Sequence, residues 1–275
     1  MNLSPALTLN NGVEIPQLGF GVFQIPTDDT VSAVSKAFEV GYRHIDTAAM
    51  YGNESEVGQA VRDSGLARED VFITTKLDND SHGYDEARAA FDASIGALGL
   101  DYVDLYLIHW PQPANDRYID TWRAFEQIYA DGRAKSIGVS NFQPNHLRRL
   151  IAETTVVPAV NQVEVHPTFT QPELRAVHAD LGIVTEAWSP LGQAADLDNA
   201  TVTRIAGSLD KTPAQVVLRW HLQRGDVVFP KSATPERIEA NFGVFDFDLS
   251  GSDLADSDAL DAGNRMGPDP DEFNT

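Results

Sequence analysis

The stretch 71–110, VFITTKLDNDSHGYDEARAAFDASIGALGLDYVDLYLIHW, decides the fold. It opens on a short apolar run rich in β-branched residues (71–76, VFITTK) and passes through Asn, Asp and Gly to an amphipathic segment over 82–98. After Gly99 it ends on a second apolar run (103–108, VDLYLI). Strand, helix and strand with turn residues between them is the pattern of a parallel βαβ unit, because parallel neighbours need a crossover long enough to hold a helix.

The same alternation extends in both directions. Strand candidates lie at 17–20 (QLGF) and 43–46 (RHID) before the unit, and at 134–139, 160–164, 183–187 and 227–230 after it. Amphipathic stretches fall at 29–40, 53–64, 117–131, 144–155, 171–181 and 212–224. Eight strands alternating with helices in a chain of 275 residues predict an α/β fold closed as a (β/α)8 TIM barrel rather than an open doubly wound sheet. At the N-terminal end, 7–15 reads as a β-hairpin whose Asn11-Gly12 predicts a two-residue turn with positive φ. From about 251 to 275 the chain is acidic and rich in small residues, which predicts a short helix followed by coil. No linker, repeat or low-complexity segment interrupts it, so a single domain over 1–275 is expected.

Composition narrows the function. With 41 acidic residues against 20 basic ones, the formal charge is −21, which repels nucleic acid and anionic lipid; neither partner is expected. No run approaches the roughly 18 apolar residues of a membrane span, and no basic-then-apolar leader opens the chain. The absence of cysteine excludes disulfides and thiolate chemistry, and a cytoplasmic location is the expectation. The histidines (44, 82, 109, 146, 166, 178, 221) show no metal-ligand spacing, so no metal site is expected. An anionic ligand would need local cations to overcome the global field.

In a (β/α)8 barrel the reacting groups sit where strands end. Asp46 closes the second strand, Lys76 the third and His109 the fourth. Tyr51 lies in the loop after the second strand, just before Asn53, which with Glu56 fits a helix cap. Singly these are a turn former, a surface lysine, a core histidine and a packing aromatic. Together they suit proton donation to a carbonyl oxygen. A free phenol has a pKa of about 10, and an ammonium beside it is expected to draw that value toward neutrality. Asp46 would hold Lys76 charged, and His109 would hydrogen-bond the carbonyl.

A second cluster, Lys231, Ser232, Thr234 and Arg237, surrounds the start of a helix after the last strand and suits a phosphate; a plain helix cap is the other reading. GFGVFQ (19–24) is no dinucleotide fingerprint, since Gln24 stands where the third glycine should be. A retaining glycosidase using Glu164 and Glu186 is a rival on the same fold. A barrel that binds nicotinamide as a sensor is another.

The segments GFGVFQ (19–24), GYRHIDTAAMYGNESEVG (41–58), ITTKL (73–77), DYVDLYLIHWP (101–111), GVSNF (138–142), NQVEVHP (161–167), WSPLG (188–192) and PKSATPERIEANF (230–242) resemble, in this order, the aldo-keto reductase superfamily. The resemblance spans nearly the whole chain, and within the family it is greatest to the short prokaryotic diketogluconate reductase type. It implies NADPH-dependent reduction of a small-molecule carbonyl, aldehyde or ketone, by a monomer, with Tyr51, Asp46, Lys76 and His109 as the catalytic group. It assigns Ser140, Asn141 and Gln162 to the nicotinamide carboxamide and Trp188, a tyrosine in many relatives, to the ring. Lys231, Ser232 and Arg237 would hold the 2′-phosphate and Asn241 the adenine. Gly21, Val22, Ser189, Leu191, Ala233 and Thr234 would also line the cofactor. Phe23, Met50 and Trp110 would wall the substrate pocket, and the tail would lie over the active-site face. Ala240 departs from the glutamate of many relatives.

Overall fold

The computed structural model describes residues 4–274. Residues 1–3 and 275, counted in the expected single domain, lie outside the described residues. β1 (Ala6–Thr8) and β2 (Glu14–Pro16) pair antiparallel with Leu7 opposite Ile15. Their connection is a three-residue loop, not the expected two-residue turn. Gly12 N–H donates to Leu9 O and Leu9 N–H to Val13 O, each at 2.9 Å, and within the loop only Gly12 takes a positive φ, 86°. A hairpin turn followed by a left-handed glycine needs no strained Asn. The Asn11 side chain is free to donate to Lys135 O at 3.0 Å and Ser136 Oγ at 3.1 Å, fixing the hairpin to the barrel.

The other strands are β3 (Phe20–Gly21), β4 (His44–Asp46), β5 (Phe72–Leu77), β6 (Val103–Ile108), β7 (Ala134–Ser140), β8 (Val160–Glu164), β9 (Val184–Trp188) and β10 (Val227–Val228). They pair in parallel in chain order. A bridge between Leu18 and Val228 closes the ring: Gly19 N–H donates to Val228 O at 2.9 Å, and Val228 N–H to Gln17 O at 3.0 Å. The result is a (β/α)8 barrel. The strand expected over 17–20 therefore serves both neighbours in turn, meeting β10 first and β4 from Phe20 on.

The helices α1 (Thr27–Val40), α2 (Glu54–Asp63), α3 (Tyr84–Leu98), α4 (Tyr118–Ala130), α5 (Pro144–Glu153) and α6 (Pro172–Leu181) lie within two residues of their expected bounds. Between β9 and β10 the chain forms two helices, α7 (Ala200–Leu209) and α8 (Pro213–Gln223), of which only α8 was expected. The buried face of α7 is narrow, Val202, Ile205 and Ala206, and Asn199 starts it by accepting from Thr201 N–H at 2.9 Å. α9 (Pro235–Phe242) and α10 (Gly251–Asp258) follow β10.

Apolar residues fill the space between helices and strands. A second cluster, including Leu9, Ile15, Leu105, Leu107, Val160 and Phe229, unites the hairpin with inward-facing strand residues. The hairpin thus plugs the N-terminal end of the barrel and leaves the C-terminal rim as the open end. Close packing is most exacting at Gly58 on α2, where an added Cβ would lie 1.9 Å from Leu98 O at the end of α3. Gly58→Ala is expected to destabilise the fold by about 1–3 kcal/mol or more, read as a lowered urea midpoint, because backbone cannot move aside as a side chain can.

Candidate active site

Asp46 is the last residue of β4, and Lys76 lies near the end of the adjoining β5. Both are buried, Lys76 completely. The Lys76 ammonium donates to Asp46 Oδ1 at 2.7 Å, to Thr47 O at 2.9 Å and to the Tyr51 hydroxyl at 3.3 Å. Three donors thus meet three acceptors, the condition for keeping an ammonium in a protein interior. Burial alone would push the Lys76 pKa down, but Asp46 and Tyr51 outweigh it and hold it above the ordinary lysine range.

Tyr51 ends a short turn, 49–51, closed by Gly52 at φ 67°. Its ring packs on Phe23, with centroids 4.9 Å apart, and meets His109 edge-on at 5.9 Å. Burial raises the Tyr51 phenol above its usual value and Asp46 adds to this, while Lys76 opposes both. The expected net fall toward neutrality does not occur; the ammonium limits the rise. His109 is pushed down to about 3, first by burial and then by Lys76, so its imidazole is neutral.

Asn53 does not cap α2. It accepts from Thr47 Oγ1 at 2.9 Å and donates to Val22 O at 3.1 Å, tying together the loops after β3 and β4. Val22 N–H in turn donates to Asp46 O at 3.1 Å, and an added Cβ on neighbouring Gly21 would lie 3.2 Å from Phe229 O.

Across the barrel, Ser140 Oγ donates to Gln162 O at 2.7 Å. Asn141, at φ 64°, donates to His109 O at 3.0 Å and to Ser140 Oγ at 3.1 Å, and accepts from Trp188 Nε1 at 2.8 Å. Gln162 Nε2 donates to Asp46 Oδ2 and Glu186 Oε2, each at 2.9 Å. The ends of β4, β5, β7, β8 and β9 are therefore one bonded network, and the predicted Ser140, Asn141, Gln162 and Trp188 all join it. Ser189, at φ 47°, and half-buried Leu191 follow in the loop after β9.

Glu164 and Glu186 are not a glycosidase pair. Glu164 accepts from Met266 N–H at 2.7 Å, from Gly267 N–H at 2.9 Å and from His166 at 3.1 Å. Glu186 lies a pleat deeper, opposite Gln162. His166 bonds Asp196 on its other side at 2.8 Å. Burial works against charge on His166, but Asp196 and Glu164 prevail and push its pKa up to about 9.

Of the predicted pocket walls, Phe23 and Met50 are half exposed at the rim, whereas Trp110 is buried beneath Phe273, ring centroids 4.4 Å apart. Phe273, Glu186 in its observed setting, and the His166–Asp196 pair escaped the sequence reading. Around the start of α9, Lys231, Ala233, Thr234 and Arg237 are exposed, while Ser232 and Asn241 are buried. Ser232 Oγ accepts from Thr234 N–H at 3.0 Å. Among the described residues, neither Lys231 nor Arg237 has an acidic partner, so both cations are available to an anion.

A (β/α)8 barrel with a buried acid–lysine pair bonded to a rim phenol, a neutral imidazole beside it and two unpaired cations after the last strand defines the class of carbonyl-reducing barrel enzymes. Residues 17–262 match the aldo/keto reductase family model, and the chain belongs to that family of oxidoreductases. It is 58% identical over 272 residues to an aldo-keto reductase of Mycolicibacterium smegmatis, with 99% of each chain covered. It is 49% identical to methylglyoxal reductase DkgA of Escherichia coli K12 over 97% of each. The crystal structure of a Gox0644 mutant in complex with NADPH matches with a TM-score of 0.95 at 43% identity, covering 99% of both chains.

His166 provides a pH test of the rim. Its raised pKa contributes stability in full below the unfolded-state value of about 6.5, and that stability is lost as pH rises through about 9. Wild-type protein is expected to lose stability between those pH values, and His166→Gln to lose distinctly less, as read by thermal midpoints across the range.

Proposed function

We propose that the chain reduces small aldehydes and ketones to alcohols with NADPH, and that Tyr51 delivers the proton. The observation carrying this reading is the Lys76 ammonium held at 2.7 Å from Asp46 and 3.3 Å from the Tyr51 hydroxyl. NADPH, when bound, supplies the hydride. The raised phenol pKa keeps Tyr51 protonated until the carbonyl oxygen becomes strongly basic. Lys76 then stabilises the phenolate left behind, and Asp46 keeps Lys76 charged throughout.

His109 orients the carbonyl. Its Nδ1 is buried with no partner, and a proton there would be an orphaned donor. The neutral ring therefore carries its hydrogen on Nε2 and can donate it to the substrate oxygen. Ser140, Asn141, Gln162 and Trp188 would hold the nicotinamide end of the cofactor, with Gly21, Val22, Ser189 and Leu191 beside it. Lys231, Ser232, Ala233, Thr234 and Arg237 would hold the 2′-phosphate, and Asn241 the adenine. The unpaired state of Lys231 and Arg237 supports this fit on a chain of charge −21. The half-exposed Phe23 and Met50 offer an apolar wall, and the DkgA relative directs the first substrate choice to methylglyoxal.

Tyr51→Phe is expected to lower kcat by about 10²–10⁴-fold, the usual worth of a general acid, while NADPH binding followed by fluorescence stays near wild type. Turnover retained by that variant would sink the assignment. Arg237→Ala should raise KM for NADPH far more than for NADH; an equal rise for both would remove the phosphate site.

A further inference from the structure

We infer that Glu186 is a positioning residue for the reductase: from the layer below the reacting groups it orients the Gln162 amide, and while its carboxyl carries a proton it leaves Asp46 to serve Lys76. The inference rests on the reductase reading above.

Both Gln162 N–H groups point inward, one to Asp46 Oδ2 and one to Glu186 Oε2, each at 2.9 Å. Gln162 Oε1 is the atom left to accept a hydrogen bond from a ligand. Turning the amide over would set that oxygen against the Asp46 carboxylate and take the N–H away from Glu186 Oε2, so Asp46 and Glu186 together fix which end meets the cofactor.

Two carboxyl groups sharing one amide cannot both be ions without further compensation. Asp46 has Lys76 at 2.7 Å. Among the described residues Glu186 has only the Gln162 N–H, and its Oε1 is buried with no partner. Its neighbours in the sheet add no charge, since Gln162 faces it from β8 and Val227 from β10. The charged groups that bear on it are Asp46 on β4, which raises its pKa, and Lys76 on β5, which lowers it. Burial is the largest influence, and together these push Glu186 up to about 8.

Above that pH a second anion appears beside Asp46 and competes for Lys76, weakening the hold of the ammonium on Tyr51. The Tyr51 and Lys76 pKa values both lie above their ordinary ranges, so neither group accounts for a fall in rate near pH 8. His166, at about 9, lies outside this network and is unaffected by substitutions at 186.

The test compares wild type, Glu186→Gln and Glu186→Met in methylglyoxal reduction from pH 6 to 10, with circular dichroism to verify folding. Wild type should show an alkaline fall in kcat near pH 8, and Glu186→Gln, somewhat slower at pH 7, should lack it. Glu186→Met cannot accept from Gln162 and should raise KM for NADPH by about tenfold, the worth of roughly one hydrogen bond, with Glu186→Gln restoring it. The wild-type alkaline limb persisting in Glu186→Gln, or an unaltered KM in Glu186→Met, overturns the inference. Difference infrared spectra provide a readout without turnover: a protonated carboxyl band titrating near pH 8 in wild type and missing from Glu186→Gln supports it, and its absence from wild type refutes it. Wild-type protein that shows this band yet oxidises no NADPH with any carbonyl would instead sink the reductase reading.

Discussion

The ion pair between Lys76 and Asp46 is the constraint on which the site depends. An ammonium taken fully out of water costs several kcal/mol unless its hydrogens are met, and removing one partner of such a pair typically costs about 3–5 kcal/mol. The barrel meets the requirement by register. β4 and β5 pair with Asp46 opposite Thr74, which sets Lys76 one pleat higher on the same face, within 2.7 Å of the carboxylate. Thr47 O fills the second position on the ammonium, and the third falls to the phenol of Tyr51. A tyrosine elsewhere on the rim would leave a buried donor without a partner, so the charge pair selects the place of the phenol as much as it sets its pKa.

Donor supply sorts the carboxyl groups around the rim. Asp46 has an ammonium and an amide; Glu164 has His166 and two backbone N–H groups; Asp196 has His166 and Thr168. The pKa values of Glu164 and Asp196 lie below the ordinary carboxylate range, because these hydrogen bonds outweigh burial. Glu186, with one N–H from an amide whose other N–H serves Asp46, lies on the other side of neutrality. Residue type did not decide these states. The number of donors available at each strand end did.

That distinction marks what the sequence could and could not disclose. Strands and helices were legible because apolar periodicity and Gly/Pro punctuation are local, as in 71–110. α7 was hidden because three small or medium residues make too narrow a stripe, and the hairpin turn because Asn11-Gly12 serves a three-residue loop as readily as a two-residue one. That Asp46, Lys76 and His109 meet at one rim could be read from strand ends, and that Tyr51 joins them from the loop that follows the second strand. The role of Glu164 could not, since its partners Met266 and Gly267 lie about a hundred residues on, in a segment whose composition reads as coil. The Tyr51 shift was misjudged in direction for a related reason: the effect of Lys76 can be anticipated from adjacency, but the larger effect of burial depends on Phe23, His109 and the rest of the rim assembling around the phenol.

The tail shows how an acidic, weakly apolar segment can still be fixed against a barrel rim. It has little hydrophobic surface to bury, so it is held by directed bonds: Ala262 and Asn264 N–H groups donate to Thr168 O, and Met266 and Gly267 N–H groups to Glu164. Asp271 then approaches His146, and Phe273 covers Trp110. These contacts reach the loop after β6 and the first turn of α5 as well as the end of β8. Gly267 is required because an added Cβ would lie 2.4 Å from the Trp188 ring. Since an ionised Glu164 accepts these two backbone bonds more strongly than a neutral one, and His166 helps to keep it ionised, the segment over Trp110 leans on a buried charge cluster separate from the Lys76–Asp46 pair. The segment over Trp110 and the Lys76–Asp46 pair are thus held by separate ion networks, joined by β8, which carries Gln162 in one and Glu164 in the other.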